Sequence, residues 1–442
     1  MPARRPSINQ EENATEMNIR LRVLSTLGAM AIVASACTTG GTPAPASQPA
    51  ASQAAPASQP AGSPTGSAAA ASAAPLTGSL AIWEAYGASG TSEKDAFDKI
   101  VGNVKTANPG LTVNVTDVPF NNLFKNFETQ AATGGGPDMY IAPNDSLPTE
   151  ARDDALLVDV SDLTDTLKAA PYNSSDVAIN ASTVDGKLYE IPESMKAVEL
   201  FYDKSVLTTA PATIDDWKAN AAKLGWVYGA NGGGAYYLWG LFSTFGGKIL
   251  ADDGKCAATQ GGVADALKWL QDMKAAGMHF YQNDNDAKAD LIAGKIAGFI
   301  DGPWQSGDLK KALGDKLAVT AGPKGTGEWA PMTAPDGFYI NASSKNVDLA
   351  KQFALQFLLP ANEQIFADAG HLPANTTLKP SDPIAQSFAA LMPSGFARPT
   401  AKELNNYWGN FGNALAAAID KSEDTTKLVA DACAAMDKAN NK

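Results

Sequence analysis

From Leu80 onward, short apolar runs alternate with segments whose apolar residues recur at helical spacing. Leu80-Ala81-Ile82-Trp83 reads as a strand. Lys94 to Thr106 gathers Phe97, Ile100, Val101 and Val104 on one helical face, and Asn108-Pro109-Gly110 stops it. Leu111 to Val115 alternates apolar and polar, a second strand. Leu123, Phe124 and Phe127 begin another helix. Gly134-Gly135-Gly136-Pro137-Asp138 then turns into a third strand at Met139-Tyr140-Ile141. Strand, helix, strand, helix, strand predicts a doubly wound parallel sheet. Such sheets bind ligands beyond the C-terminal ends of their strands, where Trp83, Glu84 and Tyr86 lie.

The pattern changes between Asp185 and Lys204. After the Asp185-Gly186 turn, Lys187 to Ile191 reads as one extended piece, Pro192 marks an edge or exit, and Val198 to Tyr202 reads as another. Two extended pieces with a break suggest a chain crossing between domains. Helical patterns follow from Ile214, across Val263 to Ala276 and across Ala287 to Gly294. Strands are expected at Ile296 to Ile300, Leu317 to Ala321 and Gly337 to Ile340. Helices are expected at Leu349 to Leu359, Ala361 to Ala369, Leu404 to Ile419 and Thr425 to Asn440. Trp217, Trp226 and Trp269 sit inside helical patterns and are expected to pack.

The N-terminal side has other chemistry. Arg20 and Arg22 precede an apolar core from Val23 to Val33 that is too short for an ordinary spanning helix. Residues 1–37 thus read as an N-terminal extension and a lipoprotein signal peptide. Ala34-Ser35-Ala36-Cys37 resembles a lipobox, with Cys37 the lipidated residue and Met17 the expected start. Residues 38–77 are Ala, Ser, Pro, Gly, Gln and Thr with almost no large aliphatic, so they are expected to be a disordered tether. Together these imply an extracytoplasmic protein anchored to the cell membrane by its N-terminal lipid.

The 442 residues allow two or three domains, and the net charge of −13 without a basic run argues against nucleic acid. The two His, His279 and His371, have no metal-ligand spacing, so no metal is expected, and nothing calls for a cofactor. Cys256 and Cys433 remain after lipidation, and an extracytoplasmic location permits a disulfide between them.

Three motifs carry a family resemblance: Gly186-Lys187-Leu188-Tyr189-Glu190-Ile191-Pro192 with Phe201-Tyr202-Asp203-Lys204, the Gly134 to Asp138 run, and Asp301-Gly302-Pro303-Trp304. Together they resemble extracellular solute-binding proteins, the maltose-binding type of carbohydrate ABC importers, over roughly Leu80 to Lys438. The resemblance implies a periplasmic-binding-protein-like α/β fold, with two doubly wound lobes joined by a hinge and the ligand in the cleft. Residues 78–193 with 284–325 are expected to form the first lobe, and 194–283 with 326–442 the second. It also implies a non-enzymatic monomer that captures a sugar, maltose or a maltooligosaccharide, for a membrane permease.

Pyranose rings offer flat C–H faces and a hydroxyl rim, so a sugar binder needs aromatic faces beside charged hydrogen-bonding groups. By resemblance, Trp304 and Trp408 match stacking tryptophans, Tyr236 a stacking tyrosine, and Asp145 a ligand-bonding aspartate. Ala142-Pro143 stands where maltose binders carry an aromatic. Trp83, Glu84, Tyr86, Glu193, Lys196, Asp336 and Arg398 are further candidates. Two other readings stay open. The same fold could bind ferric iron, through Tyr236 and Tyr237, or a polyamine. A secreted glycoside hydrolase would need two carboxylates roughly 5 to 10 Å apart across a cleft.

Overall fold

The computed structural model describes residues 75–89, 91–229 and 233–442. The signal, Cys37 and nearly all of the expected tether lie outside them. The fold starts slightly earlier than expected. The Leu76 N–H donates to Asn108 Oδ1 at 2.7 Å, and Thr77 already pairs with Gly110. A backbone with a ladder partner is no longer tether.

The described residues form fourteen strands: β1 (Thr77–Glu84), β2 (Gly110–Asp117), β3 (Met139–Pro143), β4 (Thr183–Val184), β5 (Lys187–Leu188), β6 (Glu190–Lys196), β7 (Glu199–Asp203), β8 (Leu224–Val227), β9 (His279–Tyr281), β10 (Gly298–Asp301), β11 (Leu317–Thr320), β12 (Met332–Ile340), β13 (Leu372–Pro373) and β14 (Phe396–Ala397). A seven-stranded sheet runs β13-β6-β12-β3-β1-β2, with β14 on β12. Its β1, β2 and β3 are parallel, as the strand–helix–strand pattern predicts, with β12 added antiparallel to β3 and β6 antiparallel to β12. A five-stranded sheet runs β11-β7-β10-β8-β9. The hairpin of β4 and β5 stands apart.

The stretch from Asp185 does cross between sheets. β6 belongs to the first sheet and β7 to the second, with only Ala197 and Val198 between them. Pro192 does not end its strand. β6 runs through it because the ladder to β12 is interrupted by a bulge between Asp336 and Gly337, where Pro192 pairs with Gly337.

The expected return of 284–325 to the first sheet does not occur. β10 pairs with β7 and β8, and β11 pairs with β7, all in the second sheet. Phe299 and Ile300 pack with Phe201, Trp217 and Trp226 in the second core. Conversely, β12 returns to the first sheet, and helices Val347–Phe357 and Pro360–Ala369 bring Phe353, Phe357 and Phe366 to the first core beside Phe97 and Phe338. The last helices, Tyr407–Lys421 and Thr425–Ala439, pack on the second core.

Trp217, Trp226 and Trp269 are core residues, with ring centroids 6.0 to 6.3 Å apart. Trp226 lies on β8 rather than a helix. Cys256 and Cys433 are disulfide-bonded with Cα atoms 5.3 Å apart, joining the segment before helix Val263–Ala275 to the C-terminal helix.

Candidate functional site

A band of aromatic and charged side chains runs along the seam between the two sheets. β10 is buried along its whole length, which fixes the position of its C-terminal end. Gly302 follows, and Pro303–Gln305 forms one tight helical turn that leaves Trp304 partly buried. The crossing strand β6 ends there too. Lys196 Nζ lies 5.4 Å from the Trp304 ring centroid and 2.6 Å from Asp336 Oδ1 on β12. The Tyr236 ring, on helix Gly233–Thr244, sits 6.3 Å from Trp304.

Arg398 continues the band. This buried guanidinium lies 5.7 Å from the Tyr236 ring and 5.1 Å from that of Trp408. Its Nη1 donates to Asp145 at 2.6 Å and to Asn144 at 2.9 Å, and its Nε approaches the Met332 sulfur at 3.0 Å. Asn144 is itself held, donating to the Ala181 carbonyl at 3.0 Å. Arg398 thus joins the loop after β3 to aromatic rings packed on the second core. The buried Trp408 Nε1 has no hydrogen-bond partner among the described residues.

Beyond Asp336 the floor is ionic. His371 Nδ1 lies 3.0 Å from Glu193 Oε2, and His371 Nε2 lies 2.7 Å from Glu93 Oε1. Burial alone would push this imidazole down. Glu193 and Glu93 outweigh it and raise its pKa to about 10, so at neutral pH it is an imidazolium between the Glu93 and Glu193 side chains, while burial pushes the Glu93 carboxyl up. Glu93, Ser194, Lys196, Asp336 and His371 surround a cavity of about 10 Å³ closed by Pro303 and Trp304.

The structure therefore brings together Trp304, Trp408, Tyr236, Asp145, Glu193, Lys196, Asp336 and Arg398. Trp83 is elsewhere: it packs on the small cluster containing Tyr140 and Tyr339. Glu84 serves its own turn. Its Oε2 accepts the Tyr86 N–H at 2.7 Å, Lys94 Nζ lies 3.7 Å from its Oε1, and burial raises its carboxyl to about 7. Tyr86 lies behind the band, its ring in the first core 5.8 Å from His371. The adjacent hydroxyls of Tyr236 and Tyr237 diverge, one to the Met332 carbonyl at 3.4 Å and one to Asp301 at 3.3 Å, so they do not converge on one ion. Glu93 and His371 have no sequence signal: they lie 278 residues apart, and neither stands in a motif.

Among the described residues, no helix is long and apolar enough to cross a membrane, and no group of three or more His, Cys, Asp or Glu is placed to hold a metal. Two α/β sheets with a charged aromatic seam are the build of a solute receptor, and the chain belongs to the bacterial extracellular solute-binding protein family, whose model matches residues 99–392. The fold is periplasmic-binding-protein-like, and the Thermus thermophilus maltotriose-binding protein, bound with maltotriose, superposes with a TM-score of 0.74 at 25% identity over 81% of this chain and 99% of that one. The galactooligosaccharide-binding protein of Bacillus subtilis (strain 168) is 26% identical over 72% of this chain and 82% of its own length. The maltodextrin-binding protein of the same organism is 24% identical over 65% and 73%.

Proposed function

We propose that this protein is an extracytoplasmic receptor, anchored by a lipidated Cys37, that captures a maltooligosaccharide-type sugar between its lobes and delivers it to an ABC permease. The observation that carries the reading is the seam itself: Trp304, Tyr236 and Trp408 stand in one band beside Lys196, Asp336, Arg398 and Asp145. Aromatic faces for C–H surfaces next to ionised groups for hydroxyls are what a pyranose requires. The relatives named for maltodextrin, galactooligosaccharide and maltotriose support the same ligand class.

The reading requires motion. The cavity of about 10 Å³ holds about one water, whereas small-molecule sites run to roughly 300 Å³ or more. Sugar entry must part the lobes and move Lys196 off the Trp304 face. Closure around the ligand then presents the permease with a shape only the loaded receptor holds. No step of bond making is involved.

The test is a thermal-shift and calorimetric screen of the folded domain with maltotriose, a galactooligosaccharide, spermidine and ferric iron. A sugar at a hundred times its Kd should add about 2.7 kcal/mol of stability. Stabilisation by spermidine or iron and by none of the sugars overturns the reading.

A further inference from the structure

Opposite Trp304, one wall of the cavity is made by three segments distant in sequence. Glu93 comes from the first turn of helix Thr91–Ala107, Ser194 from β6, and His371 from the link between helix Pro360–Ala369 and β13, with Glu193 of β6 behind the imidazole. The Phe366 ring stacks on the imidazole at 4.3 Å and fixes its plane. Both ring nitrogens are spent on carboxylates, one oxygen from each. The other oxygen of Glu193, Oε1, is buried with no partner among the described residues. The remaining titratable groups packed nearby are Tyr86, whose buried hydroxyl likewise has no partner there, Glu363 behind Glu193, and the Lys196–Asp336 pair.

We propose that Glu93 is a hydroxyl-reading acceptor of the cleft and that His371, braced from behind by Glu193, is the positioning residue that holds it there. This rests on reading the cleft as a sugar site. The argument is one of satisfied and unsatisfied valences. An imidazolium donates from both nitrogens and accepts from neither, so it cannot itself receive a ligand hydroxyl. It leaves Glu93, which lines the cavity, an oxygen to offer instead. Hydrogen bonds to ionised acceptors are roughly twice as strong as neutral ones, which makes a dry carboxylate a strong reader of hydroxyl donors. Glu93 and Asp336 line the cavity, and Glu193 adjoins it through His371, so this wall repels acidic sugars and suits a neutral polyol.

The test is calorimetric titration of wild type, H371Q and E93Q with maltotriose between pH 6 and pH 9, with a melting curve for each. The wild type should bind with the same affinity throughout, because His371 keeps its proton to about 10 and with it the hydrogen bond that holds Glu93. Without that cation less offsets the burial that pushes the Glu93 carboxyl up, so low pH favours its protonated form. H371Q should therefore lose roughly ten- to a hundredfold in affinity at pH 6 and recover part of it by pH 9. E93Q should lose about tenfold at every pH. A network that merely braces the fold would lower the melting temperature and leave affinity, or its pH profile, unmoved, and that result overturns the inference. E93Q decides alone if H371Q does not fold: unchanged affinity refutes the acceptor role. Failure of the wild type to bind any sugar overturns the reading of the cleft, and this inference with it. Wild-type binding with unaffected variants overturns this inference alone.

Discussion

Replacing Trp304 by alanine separates a ligand surface from a structural one. A tryptophan buries about 150–250 Å² when covered, and Trp304 is already roughly two-thirds buried or more, so at most about 90 Å² remains for a ligand to cover. At about 25 cal/mol per Å² that surface contributes at most ~2.2 kcal/mol to binding. A sugar must first displace Lys196 from the ring face, 5.4 Å away, a contact of roughly 0.5–1 kcal/mol that the alanine variant no longer has to break. The net loss is therefore at most about 1.7 kcal/mol, a Kd weaker by no more than roughly twentyfold. A core tryptophan of the Trp217 kind would instead cost about 3–5 kcal/mol of stability. Titration with maltotriose and a melting curve on one variant distinguish the two. Unchanged affinity with a collapsed melting temperature would refute the reasoning and return Trp304 to the core.

Three further outcomes are expected. Reducing or deleting the Cys256–Cys433 bridge, which closes 177 residues of sequence, should cost about 2–5 kcal/mol, and alkylation of both thiols without prior reduction would contradict the bond. Glu199 is buried with neither oxygen in a well-formed hydrogen bond, although Trp329 and the Gly322 N–H approach it, and burial raises its carboxyl to about 8. A raised carboxyl means the folded state holds a proton the unfolded chain releases above about 4.5, so stability falls from there up to about pH 8. Glu199→Gln should remove that loss and raise the melting temperature at pH 8 more than at pH 5; an equal change at both would disprove the assignment. A chain starting at Pro75 should bind maltotriose within error of the full chain, and a tenfold weaker Kd would make the tether part of the site.

The sequence made the elements legible more readily than their partners. Apolar period located β1, β2, β3 and β10 because burial on a sheet demands it locally. It does not say that β10 pairs with β7, about a hundred residues away, and so sequence alone assigns 284–325 to the wrong sheet. The turn after β10 did place Trp304 in the seam, since a buried strand end pins the residues next to it. Trp83 misled because side chains on a strand alternate faces: Ile82 packs on the first core and Trp83 on the opposite cluster, whatever the ligand. Glu193 was named as a candidate, but its pairing through His371 to Glu93 was illegible, because these buried polar groups are made tolerable only by one another, across the chain.

The link of Ala197 and Val198 sets how the molecule can report occupancy. Two residues reach at most about 7 Å and offer about four soft dihedrals, so the strands they join can pivot but hardly drift apart. Any opening is then angular, and displacement grows in proportion to distance from the pivot. Residues beside it barely move, while those at the far rims sweep the longest arcs. A pair of spectroscopic labels at opposite rims would read a few degrees of rotation as many ångströms, and a membrane partner touching both rims enjoys the same mechanical gain.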